Sequence, residues 1–127
     1  MPIRGIRGAT IAEADTASAI RAATRELLLA LVDANQLQTD DLASVVFSLT
    51  PDLTAEAPAR AARDLGWQAA AMMCVAEMHA ASDLARCIRV LIHWNTDKRS
   101  DEIQHVYLHA AGQLRPDRAI PSNGRAG

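Results

Sequence analysis

Arg89 stands inside a run of apolar and β-branched residues, Arg86 to Trp94 (RCIRVLIHW). An arginine placed there carries a permanent charge and a planar fork of N–H donors into a partly covered layer, the arrangement that grips a carboxylate or phosphate bidentately. Glu77 is a similar case. It lies in the apolar stretch Cys74 to Met78 and is the one glutamate of five with no charged residue in the eight positions before it. An unpaired buried charge is costly, so Arg89 needs a partner. Two readings stay open: a structural ion pair with an acid such as Glu77, or a contact with an anionic ligand. Arg-x-x-Arg spacing recurs four times, at Arg4/Arg7, Arg60/Arg63, Arg86/Arg89 and Arg115/Arg118. Such a pair shares a face in a helix but splits to opposite faces in a strand. The four are therefore not one repeated device, although one arginine from each of several segments could converge on an anion.

Other chemistries find little support. His79, His93, His105 and His109, with Cys74 and Cys87, raise the question of a metal. His105-x-x-x-His109 has ligand-like spacing, yet no second His or Cys pair has the close spacing of a zinc site. Solvated or hydrogen-bonded histidines are expected, and no metal. The chain has no G-x-S-x-G elbow, no G-x-G-x-x-G and no phosphate-binding loop. Gly5-x-x-Gly8 is too short a signal to mean phosphate binding.

The elements that must position these residues can be read from periodicity. Met1 to Thr10 mixes β-branched residues with Gly5 and Gly8 and reads as a first strand. Asp15 or Thr16 can cap the helix that follows. Ile20, Ala23, Leu27, Leu31 and Ala34 then recur at helical spacing over about five turns. Asn35 sits where a left-handed cap would end the helix. Leu42 to Leu49 reads as a second strand, stopped by Thr50-Pro51-Asp52. Pro58 to Leu65 reads as a short helix with Pro58 at its first position, ended by Gly66. Gln68 to Cys74 is assigned to a strand, Arg86 to Trp94 to the central one, and Val106 to Leu108 to the last. One face of the central strand would hold Ile88, Val90, Ile92 and Trp94 against the long helix. The other would hold Cys87, Arg89, Leu91 and His93, which is too apolar for open water. Two apolar faces need two covering layers, and one long and one short helix cannot supply both. The missing layer is expected from another subunit, hence a homo-oligomer.

Composition bounds the remaining possibilities. The chain has 127 residues, half of them apolar and 22% charged, with a net charge of −2. That predicts an ordered domain over residues 1–120 with a frayed tail at 121–127, and argues against nucleic acid or an acidic membrane as partner. No apolar run is long enough to span a membrane, and Arg4 and Arg7 have no apolar segment behind them, so no secretory leader is expected. Two cysteines thirteen positions apart suit reduced thiols and a cytoplasmic setting. Twelve of the thirteen basic residues are Arg and 26 residues are Ala. A GC-rich genome accounts for most of that bias.

Several motifs occur in an order that resembles one family. Ile3-Arg4-Gly5-Ile6-Arg7-Gly8-Ala9-Thr10 opens the chain, Thr50-Pro51-Asp52-Leu53 follows the second strand, and Cys87-Ile88-Arg89-Val90 marks the central one. Asn95-Thr96-Asp97, His105-Val106-Tyr107-Leu108 and Leu114-Arg115-Pro116-Asp117 complete the series. From about residue 2 to residue 120 the chain resembles the monofunctional chorismate mutases of the AroH class, first known from Bacillus. The resemblance implies an α+β fold, a mixed sheet with one long and one short helix, assembled as a pseudo-α/β-barrel homotrimer with active sites in clefts between subunits. It implies rearrangement of chorismate to prephenate on the route to phenylalanine and tyrosine, with no cofactor.

Residue by residue, the resemblance makes Arg89 the donor to the ether oxygen and to a substrate carboxylate. Arg7, helped by Tyr107, becomes the clamp on the other carboxylate. Glu77 would accept from the ring hydroxyl and face the ring's partial positive charge, with Cys74 at the same hydroxyl. Arg63 would stand at the mouth, and Leu114 and Arg115 on the segment that partly closes the cleft. Ala57 stands where the family usually has a Phe wall, Met73 replaces a Thr, and the Ala81-Ser82-Asp83-Leu84 turn lacks the usual glycine. These departures bear on tightness of binding more than on reaction type. The competing reading is a trimeric small-anion-binding or imine-deaminase-like protein of similar architecture, which would also place an Arg between subunits.

Overall fold

The structure, a computed structural model, describes residues 1–78 and 84–115. His79, the Ala81 to Asp83 part of the expected turn, Arg118 and the tail at 121–127 lie outside the described residues. Within them the order is β1 (Ile3–Ile11), α1 (Ala17–Asn35), β2 (Leu42–Leu49), α2 (Ala59–Asp64), β3 (Ala71–Ala76), β4 (Cys87–Asn95) and β5 (Val106–Tyr107), followed by a 3-10 helix, His109–Leu114. The strands form one mixed sheet in the order β3-β2-β4-β1-β5. β4 is antiparallel to both β1 and β2, while β3 runs parallel to β2 and β5 parallel to β1.

The period-two reading of β4 is what the structure shows. Ile88, Val90, Ile92 and Trp94 are buried, and they share a cross-strand row position with Thr10, Gly8, Ile6 and Arg4 of β1 respectively. Val45 and Phe47 of β2 lie on the same side, opposite Ile92 and Val90. Leu27, Leu28 and Leu31 of α1 and Ala59 and Ala62 of α2 join Val45, Phe47, Val90, Ile92 and Trp94 in one apolar core, while Ile88 packs in a second with Ile20 of α1. Both helices therefore cover the same face of the sheet.

The helix differs from its sequence reading in two places. Its buried stripe is Ile20, Thr24, Leu27, Leu28, Leu31 and Asn35, so Ala34 faces outward and Ala23 is only partly covered. The left-handed cap is Gln36, with φ 57° and its N–H donating to the Val32 carbonyl. Asn35 is instead fully buried. Its Nδ2 donates to the Leu31 and Gln104 carbonyls at 3.1 and 2.8 Å, and its Oδ1 accepts from the Gln104 N–H at 2.8 Å. The amide satisfies itself in full while tying α1 to the segment that leads into β5. At the other end Thr16 is the cap, its Oγ1 accepting from the Ala19 N–H at 3.1 Å.

The turn after β2 is held from both sides. Asp52 accepts from the Thr50 hydroxyl at 2.6 Å and from the Arg86 N–H at 2.8 Å, fastening the turn to the start of β4. Arg86 itself takes a left-handed φ of 52° there. Asp15 accepts from the Thr54 and Ala55 N–H groups at 2.8 and 3.0 Å. The Thr50 hydroxyl holds the Asp52 carboxyl below its ordinary value of 3.8. The Thr54 and Ala55 N–H groups do the same for Asp15.

Two measurements follow. Gly8 lets α1 rest on the sheet: a Cβ there would come within 3.0 Å of Leu31 Cδ1, 3.1 Å of Val90 Cγ1 and 3.2 Å of Leu27 Cδ1. Gly8→Ala should therefore destabilise by about 1–3 kcal/mol, read as a lower denaturant midpoint. A carboxylate with a depressed folded pKa stabilises above its unfolded value and loses that contribution as pH falls through the folded one. Melting curves between pH 5 and pH 3 should thus fall more steeply for the natural protein than for an Asp15→Asn/Asp52→Asn variant. Parallel curves would mean that neither clamp stabilises the folded chain.

Candidate active site

The covering helices commit the odd-numbered residues of β4 to the other side. Cross-strand register aligns them in rows that run over the whole sheet. One row carries Val75 of β3, Ser48 of β2, Arg89 of β4, Ala9 of β1 and Tyr107 of β5. The adjacent row carries Met73, Val46, Leu91 and Arg7. Arg7 is thus a diagonal neighbour of Arg89, about 7–8 Å away by sheet geometry. Ala9, between Arg89 and Tyr107 in this row, is fully buried.

Glu77 follows β3 directly, its N–H bonded to the Leu49 carbonyl at 2.8 Å. That bond continues the strand's alternation and brings the carboxylate to the row of Arg89 and Ser48. Glu77 Oε1 lies 3.2 Å from Arg89 Nε, and the Ser48 hydroxyl donates to the same oxygen at 2.6 Å. The Arg89 Nε–H is buried without an aligned acceptor despite the short contact. Charge attraction is present, but the arginine is not consumed by a fork-to-fork pair. Side-chain exposure is 37% for Arg89 and 18% for Glu77, so the guanidinium keeps room for a ligand. Arg7 is exposed, and its backbone N–H donates to His105 Nδ1 at 2.9 Å. That imidazole supplies an acceptor where the two-residue β1–β5 ladder stops.

Around these charges the face is apolar. Met73 is 61% exposed, Val75 41% and Leu91 37%. At the opposite end, Tyr107 is buried with Ala9 and Ala111, and Leu114 packs against them. The 3-10 helix thus covers the β1–β5 corner, bringing Leu114 alongside Tyr107. Arg115 ends the described chain there, half-buried.

The remaining expected site residues lie elsewhere. Cys74 is opposite Phe47, on the helix-bearing side of the exposed edge strand β3. Arg63 is exposed on α2, and Ala57 is exposed in the segment just before it. In one chain, then, Arg7, Glu77, Arg89 and Met73 belong to the bare face and Tyr107 to its covered corner, whereas Ala57, Arg63 and Cys74 do not share it. A hollow away from this face belongs to neither group. It has a volume of about 690 Å³ and lies between α1 and the 3-10 helix, lined by Ala19, Ala23, Glu26, Arg86 and His109 among others. The Arg89–Glu77–Ser48 cluster, by contrast, stands on the side of the sheet away from both helices.

The histidine spacing resolves into separate contacts. His105 serves Arg7, His109 Nε2 lies 2.9 Å from Glu26 Oε1, and His93 Nδ1 lies 2.7 Å from the Ser44 hydroxyl. Among the described residues no group of three His, Cys, Asp or Glu converges as metal ligands would. Sequence reasoning passed over Ser48 and its contact with Glu77. The signal was present: in LASVVFSL, Ser44 and Ser48 fall on one face of an otherwise apolar strand, where polar side chains need partners.

Comparison with known proteins supplies the last observation. The family model described as chorismate mutase type I matches residues 3–118. The chain is 48% identical to a protein named chorismate mutase AroH from Thermus thermophilus, over 91% of this chain and 95% of that one. It is 43% identical to the protein of the same name from Bacillus subtilis, over 97% and 98% of the two chains. A solved chorismate mutase from Clostridium thermocellum superposes with a TM-score of 0.85 at 45% identity, covering 87% of this chain and 99% of that one.

Proposed function

Because this chain belongs to the type I chorismate mutase family, and is an isomerase that rearranges chorismate to prephenate for aromatic amino acid synthesis, we propose that the Arg89–Glu77 face is its active site. The arrangement that supports this most directly is Arg89 held 3.2 Å from Glu77 with its Nε–H unconsumed, on a face that also carries Arg7 and Tyr107.

The reaction is unimolecular and pericyclic. It needs no nucleophile and no proton transfer, only a compact chair-like conformer of a flexible dicarboxylate and stabilisation of separating charge. Preorganised charge and positioning are the levers available. Arg89 donates to the ether oxygen, where negative charge develops as the C–O bond breaks, and holds one carboxylate. Arg7 and Tyr107 hold the other carboxylate. Glu77 accepts from the ring hydroxyl and faces the ring's partial positive charge. No cofactor and no metal take part.

The exposed Met73, Val75 and Leu91 support a second subunit as the layer missing over this face. In a cytoplasmic homotrimer, one subunit would contribute Arg7, Glu77, Arg89 and Tyr107. Its neighbour would contribute Arg63 and Cys74, with Ala57 beside Arg63. Leu114 and Arg115 narrow the cleft at the Tyr107 end. Ala57 and Met73 give a more open pocket than a Phe and a Thr would.

Arg89→Ala is expected to lower kcat roughly a hundred- to a thousandfold, because a donor to the developing oxyanion binds the transition state preferentially. Arg89→Lys should restore little, since a point charge cannot span ether oxygen and carboxylate together. A lysine variant with near-natural kcat in the chorismate absorbance assay refutes the assignment. The shared cleft is tested by refolding an equal mixture of Arg63→Glu and Glu77→Ala chains. Random assortment around a cyclic trimer should return about one quarter of the sites to natural composition. Mixed trimers no more active than their parents would exclude a cleft between subunits.

A further inference from the structure

We propose that Ser48 is a positioning residue for the rearrangement: its hydroxyl fixes the Glu77 carboxylate so that Arg89 stays available to substrate. The inference rests on the assignment of Glu77 and Arg89 to the site. Ser48 is half-buried on β2, directly across from Arg89 in the β2–β4 register. Its 2.6 Å bond to Glu77 Oε1 is shorter than the carboxylate's 3.2 Å contact with Arg89. Arg89 Nε lies 3.2 Å from that same oxygen yet is not aligned with it.

An arginine and a carboxylate this close would ordinarily settle into two parallel N–H···O bonds. That geometry would occupy both carboxylate oxygens and one edge of the guanidinium. The Ser48 hydroxyl prevents it by engaging Oε1 from the β2 side. Oε2 is then left without a partner among the described residues, suited to accept a ring hydroxyl. The remaining Arg89 donors are left for ether oxygen and carboxylate. Ser48 itself makes no contact with substrate in this account and acts only through Glu77.

The test is a double-mutant cycle in the purified full-length protein, with kcat and KM read from chorismate absorbance and folding from the thermal midpoint. Hydrogen bonds to charged groups predict that Ser48→Ala lowers kcat roughly ten- to a hundredfold, with KM changed far less. In a Glu77→Ala background, where no carboxylate remains to be placed, the same substitution should change kcat by less than about twofold. Ser48→Thr, which keeps the hydroxyl, should recover most of the loss, and Ser48→Val, of the same shape without it, should not. If Ser48→Ala does not fold, the Thr and Val pair makes the same comparison. An equal loss in both Glu77 backgrounds, or a valine variant as active as the threonine one, overturns the proposal and leaves the site assignment standing. Natural turnover in Glu77→Ala alone overturns both.

Discussion

Packing of Ile88, Val90, Ile92 and Trp94 beneath α1 settles which way every other side chain of β4 must point. Burial of one aliphatic side chain is favourable by about 1.5–3 kcal/mol, so sliding the strand by one position would forfeit several such contributions at once. Register is therefore stiffly specified. Arg89, Leu91 and His93 are committed to the bare side, and Arg7, Ser48 and Tyr107 inherit places relative to them through cross-strand pairing. The constellation proposed as the site, spread over residues 7 to 107, is thereby assembled by the burial of its opposite face.

The charged groups on that face are held without being neutralised. A lone guanidinium among Val46, Leu91 and Val75 would be costly to desolvate, and Glu77 offsets that cost. A perfect pair would leave nothing for a ligand. The structure settles between these extremes by giving one carboxylate oxygen a second donor, the Ser48 hydroxyl. The segment before α2 is treated in the same way. Asp15, Asp52 and an Arg21–Glu56 contact at 3.1 Å fasten it to the rest of the chain, while Ala57 and Arg63 stay exposed.

Much of this was legible from residue types and spacing. RCIRVLIHW has two apolar faces at period two, and that pattern alone called for a covering layer on each side. The apolar steps from Ile20 to Leu31 gave the helix that supplies one of them. Glu77 and Arg89 were marked as mutual partners or ligand groups, and the structure brings them together. Other features have no local signature. Asn35 reads as a cap because Asn tolerates left-handed backbone, yet its amide is used to grip Gln104, sixty-nine residues away. Ser48 reads as one more strand residue until β3 and β4 are set beside it. Which expected site residues share a face also depended on pairing. Cys74, three positions before Glu77, is turned to the opposite side by the same alternation that brings Glu77 to Arg89.

The shortness of β5 has a consequence for how the molecule opens. Its ladder to β1 spans only Gly8–Val106 and Ala9–Tyr107, whereas β1 and β4 are paired along nine consecutive positions. Amides at the two places should therefore exchange with solvent on different scales. Those of β4 are released only by global unfolding, and those around Tyr107 by a local excursion that leaves the α1 core intact. Tyr107 and Leu114 are then expected to open together, at a lower free energy than the whole chain.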